Sequence, residues 1–573
     1  MVKIARALLF VFALSCSTND KLPADYLLHY TLGAEPSSFD PVKSENIVNA
    51  VMQRQILECL FEYDYATSDA QVSPLLATSV EVSDDGIQYD ILLRHDAQFF
   101  DPFEPALFDG RLRALNAYDV LFCWLRQADA RLNSDGWWAI NDTFVGIKEL
   151  HQATANPDAT LAQQAFDDAV KNGIEGLQVM DDFHLRVRLQ RRDTWFLNRL
   201  AMSYFSVYPH EAVESDQRSM RDQPVGSAVF YLEQFVPGQK VLLTRNANWR
   251  GDVPGNATGV EFQVVRDAQT PIEMFKRGLS DRLTLSANSA KQFLDENGVL
   301  KKSLVDDGVT VSDYPRSDIS MLCFNMQDSE IGHVPADDAG NALRKQLRHA
   351  LALAFPRAQW QDLLYQRLPF ISATSFIPPN VGEQHQVYPW HDDLTQARQI
   401  LEDAGYYSQH ELPQVEFVLF GTDSMSVALG EIYSVALKEI GVECKLVAVP
   451  YAQQMQRAAN GEAQIFVRNW TLDWPDSRLI YDTFKSDNIG GSINLSRFSN
   501  PPFDDLLDKL ALAQDATQRQ QIEAQLDAIL YDECPAMPIE HRQSWVLGSK
   551  RITNFKMRPF DLMPCKFYIL KND

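Results

Sequence analysis

The spacing of hydrophobic and polar positions changes several times along this chain, and each change predicts an element. Tyr26 to Tyr30 reads as an apolar strand that runs into Gly33-Ala34-Glu35-Pro36-Ser37-Ser38-Phe39-Asp40-Pro41, where turn-forming residues predict a loop. Ile47 to Leu60 has the recurrence of a helix. Between Ala77 and Phe100 two alternating runs flank Asp84-Asp85-Gly86, the pattern of a β-hairpin. A helix follows from Asn116 to Ala128, with Val120, Leu121, Trp124 and Leu125 on one side. Strands return from Leu177 to Leu189, turning at Asp181-Asp182, and again from Tyr231 to Arg245.

The second half alternates strands with helices. Leu343, Leu347, Ala350, Leu351 and Ala354 recur at helical spacing up to Pro356, and Leu394, Ala397, Ile400, Leu401 and Ala404 do so up to Gly405, a natural C-terminal cap. Val415 to Phe420 then reads as strand, Ser424 to Ile440 as helix, Cys444 to Val449 as strand, Tyr451 to Asn460 as helix and Ala463 to Arg468 as strand. Such alternation predicts a parallel or mixed α/β sheet. With 573 residues the chain exceeds one hydrophobic core, so two or three domains are expected, the first of them interrupted by a hairpin-bearing insertion.

Composition narrows the class. Hydrophobic residues at 45% and charged residues at 23% are the balance of a folded protein rather than a disordered one. A net charge of -25 repels phosphate backbones, which excludes nucleic acid as an expected partner. Lys3 and Arg6 precede an apolar run from Ala7 to Leu14, the pattern of an export signal and too short to span a bilayer. That run ends at Ala13-Leu14-Ser15-Cys16, which looks like a bacterial lipobox, with Ala13 where Leu is usual. Residues 1–16 are therefore expected to be a lipoprotein signal peptide with Cys16 lipidated, the alternative being an ordinary signal with an incidental Cys. The other six cysteines lack the spacing of a zinc site; four lie in apolar stretches and read as core, while Cys534 and Cys565 are open to pairing as a disulfide. No metal or cofactor is expected.

Several segments, in order, carry a resemblance. Glu35 to Pro41 (EPSSFDP), Pro74 to Arg94 (PLLATSVEVSDDGIQYDILLR), Phe108-Asp109-Gly110 with Ala117 to Val120, Pro224-Val225-Gly226-Ser227, Arg245-Asn246 with Trp249, Leu343 to Arg357 (LRKQLRHALALAFPR) and Asn469 to Ser477 (NWTLDWPDS) stand where the extracellular solute-binding proteins that include the oligopeptide- and dipeptide-binding proteins have similar segments. Ala228 and Val229 depart from that family's Gly-Pro, and Pro475-Asp476 is a further departure.

The resemblance implies a two-lobed periplasmic-binding-protein-like α/β fold (type II, cluster C) with an extra subdomain in the first lobe. It implies residues 17–57, 179–317 and 537–573 as discontinuous lobe I, 58–178 as the inserted subdomain, and 318–536 as lobe II. It implies a periplasmic or envelope-bound monomer, tethered to membrane only through Cys16, that binds a peptide between hinged lobes and hands it to an ABC transporter permease.

Carried over by position, Asp473 would accept the ligand's α-ammonium, with Trp470 three residues before it as a wall of the site. The same residues read without the resemblance as a helix N-cap and plain core. Glu45 and Ile47 fall in the loop expected to contact ligand, and Arg468 could meet a ligand carboxylate. Trp137 and Trp138 read as buried packing or as the sides of a side-chain pocket. Members of such a family also carry metal chelates, haem, sugars or opines, or act as sensors, so a non-peptide solute or a sensory role is the alternative. No HExxH, GxSxG or P-loop pattern occurs, and no catalytic residue is expected.

Overall fold

The computed structural model describes residues 26–571 apart from 45, 66, 68, 69, 216, 217, 252, 367, 383–387, 389, 514, 561 and 562. The export segment, Cys16 and Glu45 thus lie outside the described residues. No helix among the described residues is long and apolar enough to cross a membrane.

The chain folds around two large hydrophobic cores. The first gathers residues from Leu28 to Phe262 and from Val546 to Leu570, and the residues expected as an inserted subdomain contribute to it through Ile91, Val120 and Trp124. Its two main sheets have four strands each. One is ordered Leu27–Leu32, Gly259–Val264, Lys240–Arg245, Phe230–Val236; its first pair is parallel and the rest antiparallel. The other is an antiparallel set of Ala77–Val82, Gln88–Leu93, His184–Arg188 and Leu177–Asp181. The expected hairpin is there, turning at Gly86 with φ 69°, a left-handed conformation that glycine takes without steric cost.

The second core gathers residues from Ile319 to Ile539 around a six-stranded mixed sheet. The strand order is Ile371–Ser372, Ala536–His541, Asp318–Phe324, Ile465–Thr471, Val415–Leu419, Cys444–Ala448. Val415–Leu419 runs parallel to both of its neighbours, as the strand-helix alternation of this region requires. Every residue of Asp318–Phe324 is buried, as suits a strand paired on both sides, with Ala536–His541 and with Ile465–Thr471. Asp393 and Asp423 cap the helices Leu394–Asp403 and Ser424–Glu439 by accepting from backbone amides of the first turn.

The two cores are joined by strands that run from one into the other. Thr310–Pro315 and Gln543–Gly548 pair in a three-stranded sheet with Arg282–Thr284, and each continues into the second lobe, as Asp318–Phe324 and Ala536–His541. At the crossing the Arg316 amide donates to the Arg542 carbonyl at 2.8 Å, and both guanidiniums reach one oxygen of the fully buried Asp318, at 2.9 and 2.6 Å.

Two expectations are corrected. The helix expected from Ile47 to Leu60 spans Ile47–Ile56, and Leu57 is already extended. Leu57, Cys59 and Leu60 are all buried because this stretch runs between core elements, and in a short apolar run burial hides the period. Cys534 and Cys565 form no disulfide: Cys534 is buried in the second core and Cys565 in the first.

Candidate functional site

Between the lobes lies a cavity of about 520 Å3, within the roughly 300–1,000 Å3 range of small-ligand sites. The helix Ile47–Ile56 forms part of one side. Its N-cap Asn46 lines the cavity together with Ile47, Ala50, Val51 and Arg54, spaced so that they share one face. The helix is aimed by the loop before it. Asp40 accepts from the Val42 amide and receives both arms of the Arg126 guanidinium at 2.8 and 2.7 Å, a bidentate buried pair that leaves the loop one arrangement.

The second lobe contributes the end of the strand Ile465–Thr471 and the turn after it. Thr471, Leu472 and Asp473 line the cavity. The Leu472 amide donates to the Ser317 carbonyl at 2.7 Å, which ties this turn to the crossing strands.

Asp473 lies open to the cavity, and no hydrogen bond or ion pair reaches its carboxylate from any described residue. Enclosure by both lobes deprives it of bulk solvation and pushes its pKa up to about 6. Across the gap, burial first and the charge of Asp473 after it raise the Tyr204 hydroxyl above its usual value, so the two lobes share one electrostatic space. Ser477 occupies the N-cap position of the helix Arg478–Tyr481 without a capping bond from its side chain, and Asp476 takes the nearby Arg478 amide at 3.1 Å. The capping alternative for Asp473 is therefore wrong, and its charge is left to the cavity.

Strand alternation decides the other expected residues. Arg468 and Trp470 occupy one face of Ile465–Thr471, while Asn469 and Thr471 occupy the face that is open. Arg468 is buried, donates to the carbonyls of Ser492 and Ile493, and stacks on the Trp470 ring at 4.5 Å. Burial lowers its pKa to about 10. It does not line the cavity, which corrects the expectation that it meets a ligand carboxylate. Trp470 donates its indole N–H to the Leu479 carbonyl at 2.9 Å and packs on the second core, so it supports the Asp473 turn rather than forming a wall. Ile47 does line the cavity, 63% exposed.

The lobes meet beside the site. Trp474 is buried between them, stacked on Trp138 with ring centroids 6.1 Å apart and planes 6° from parallel, and covered by the Arg199 guanidinium at 5.2 Å. Trp138 is thus an interlobe contact, whereas Trp137 stacks on His151 at 3.9 Å. Residues not anticipated from the sequence complete the cavity: Tyr63 and Tyr204 in the first lobe, Arg282, Tyr314 and Arg316 from the crossing sheet and the segment leaving it, and Arg558 and Phe560 near the C-terminus. A smaller cavity of about 180 Å3 opens on the same sheet, lined by Trp360, Phe420, Asn469 and Glu540 among others. Among the described residues no group of three or more His, Cys, Asp or Glu could hold a metal.

Two lobes joined by crossing strands around a shared cavity define a hinged ligand-binding protein. The model of the bacterial extracellular solute-binding proteins, family 5 Middle, matches residues 71–492, and the chain belongs to that family. It is similar to heme-binding protein A of Haemophilus influenzae, 24% identical over 561 residues covering 95% of this chain and 92% of that one. It is also similar to the probable di/tripeptide-binding protein 5 of Pseudomonas aeruginosa, 23% identical over 545 residues and 92% of each chain. Among solved structures, HbpA2 from Haemophilus parasuis matches with a TM-score of 0.74 at 22% identity, covering 95% of this chain and 100% of that one. DppA from Helicobacter pylori in complex with peptide STSA matches with 0.69 at 20%, covering 95% and 98%. These likenesses establish the two-lobed fold.

Proposed function

We propose that this chain is the extracytoplasmic binding component of an ABC importer and that its ligands are peptides, held by the α-ammonium at Asp473. One observation carries the reading: a carboxylate without a protein partner stands in an enclosed interlobe cavity, where a ligand ammonium supplies the missing counter-charge. The names of the di/tripeptide-binding relative and of the peptide-bound neighbour support the same class of ligand. Closure buries the ligand, and the Trp138–Trp474 stack holds the closed form. The chain works in the periplasm or cell envelope as a monomer, tethered through lipidated Cys16, and passes its ligand to an inner-membrane permease. It needs no cofactor and catalyses no reaction on the ligand.

N-acetylation of the ligand is the test. Alanine peptides of two to five residues should raise the melting temperature of ligand-stripped protein, and their N-acetylated forms should not. Equal stabilisation by both forms would remove Asp473 as the ammonium anchor.

A further inference from the structure

The smaller cavity of the second lobe lies a short step along the sheet from Asp473. Thr471 lines the interlobe cavity, while Asn469 and Val467, which precede it on the same strand face, line the smaller one. Residues two apart on a strand are about 7 Å apart, so a ligand anchored at Asp473 and running along this strand passes the smaller cavity. At about 180 Å3 it falls below the roughly 300–1,000 Å3 range of sites for whole small ligands and suits a single side chain. Trp360 and Leu364 of the helix Arg357–Tyr365, with Phe420 and Tyr451, wall it largely with apolar surface.

Its floor is polar. Ser320 stands opposite Asn469 on one side and Glu540 on the other, so the three side chains form a row across three strands. The Ser320 hydroxyl donates to Asn469 Oδ1 at 2.6 Å, and the Tyr365 hydroxyl donates to Glu540 Oε1 at 2.5 Å. Glu540 Oε2 meets no hydrogen-bond partner among the described residues, although Glu540 is only 2% exposed. Burial holds its carboxyl above the usual range, as expected of an acid short of solvation. Arg542, two residues on, gives one nitrogen to Asp318 at 2.6 Å, yet its Nε is also buried without a partner among the described residues. An orphaned acceptor and an orphaned donor thus belong to two residues that line one small cavity, and leaving either unmet is unfavourable.

The charge balance decides what fits. Arg316 and Arg542 share Asp318, so the crossing carries one positive charge in excess, and Glu540 offsets it. A cation in the cavity would upset that balance, and an anion would face Glu540. A primary carboxamide is neutral, donates and accepts from one planar group, and can answer both orphans while its methylene stem lies against the aromatic walls.

We infer that this cavity is a side-chain pocket selective for a carboxamide, with Glu540 accepting its N–H, so that the chain favours peptides carrying Gln at one position. This rests on the peptide reading and adds to the ammonium anchor a side-chain preference set by the second lobe.

Calorimetric titration of the full chain with tetra-alanine and with tetrapeptides bearing Gln at position 2, 3 or 4, each matched by Met, Glu and Lys at the same position, tests this in wild type and in Glu540→Gln. At one position Gln should bind the wild type about 30-fold tighter than Met, which has similar length but no amide, and tighter than Glu or Lys. Glu540→Gln should narrow the Gln-to-Met ratio to about threefold and remove the penalty on Glu relative to Gln, whereas a purely structural role would weaken all four peptides alike. If tetra-alanine binds and Gln equals Met at every position, the pocket is refuted and the peptide reading stands. If Lys binds tighter than Gln, the pocket answers to charge and the carboxamide assignment is overturned. An unchanged Gln-to-Met ratio in Glu540→Gln overturns the role of Glu540. If no peptide of the set binds the wild type, the peptide reading itself fails. The wild-type comparison needs no variant to fold.

Discussion

Replacing Asp473 by Asn keeps the size of the side chain and one acceptor oxygen but removes the negative charge that faces the cavity. On the proposed reading that charge meets a ligand ammonium in the cavity, where a charge-assisted hydrogen bond contributes about 1.5–3 kcal/mol. Because the carboxylate lies open to the cavity, the larger penalties of fully buried pairs do not apply. A loss near the upper end of that range, about 3 kcal/mol, corresponds to roughly 100-fold in Kd. The wild type should also be pH-sensitive. Its pKa of about 6 means that a proton competes with the ligand below that value. At pH 5 about one protein in ten is ionised, so affinity should be about tenfold weaker than at pH 7.5. The Asn variant has nothing to titrate there and should bind equally weakly at both pH values. Isothermal titration of ligand-stripped protein with trialanine at pH 5 and 7.5 measures both effects. An Asn variant within threefold of wild type at pH 7.5, or a wild type that binds equally at both pH values, would refute the reasoning.

Other residues give independent outcomes. Trp474→Ala removes the stack on Trp138 and the cover of Arg199, so peptide affinity should fall about tenfold, mostly through faster release seen in stopped-flow fluorescence. Asp40→Ala leaves the buried Arg126 without its carboxylate and should lower stability by about 3–5 kcal/mol, read as a lower urea midpoint. Burial raises Asp527 to about 7 against 3.8 for a free Asp, so the folded state holds its proton more tightly and stability is lost as pH rises from 4 to 7. Asp527→Asn, which still accepts from Tyr481, should therefore be stabilising at pH 8, by at most about 4 kcal/mol, and nearly neutral at pH 4, as denaturant unfolding at the two pH values will report. With no disulfide joining Cys59, Cys123, Cys323, Cys444, Cys534 or Cys565, melting curves with and without reductant should coincide.

The fold was legible wherever periodicity and caps agreed. Gly86 marked its hairpin, Gly405 marked the end of the helix that starts at Leu394, and the strand-helix alternation after Val415 announced the second lobe. Asp473 was legible because its segment is short and continuous. Trp470 takes its core alternative and Arg468 turns away from the cavity, because period-two alternation directs both to the covered face and exposes Asn469 and Thr471 instead. Arg282 sits on a strand of three residues, too short to show a period. Its meeting with Tyr63, Arg316 and Arg558 depends on strands that cross between lobes, and no local pattern encodes that convergence.

The central claim is that the interlobe cavity is a peptide site. Native mass spectrometry of the full chain, purified without denaturation from the envelope of the cells that make it, tests this most directly. The account predicts a bound species that dissociates on activation and fragments into amino-acid residues, and that is absent from Asp473→Asn prepared in parallel. A bound species that yields no amino-acid residues, or one retained equally by the Asn variant, would contradict it.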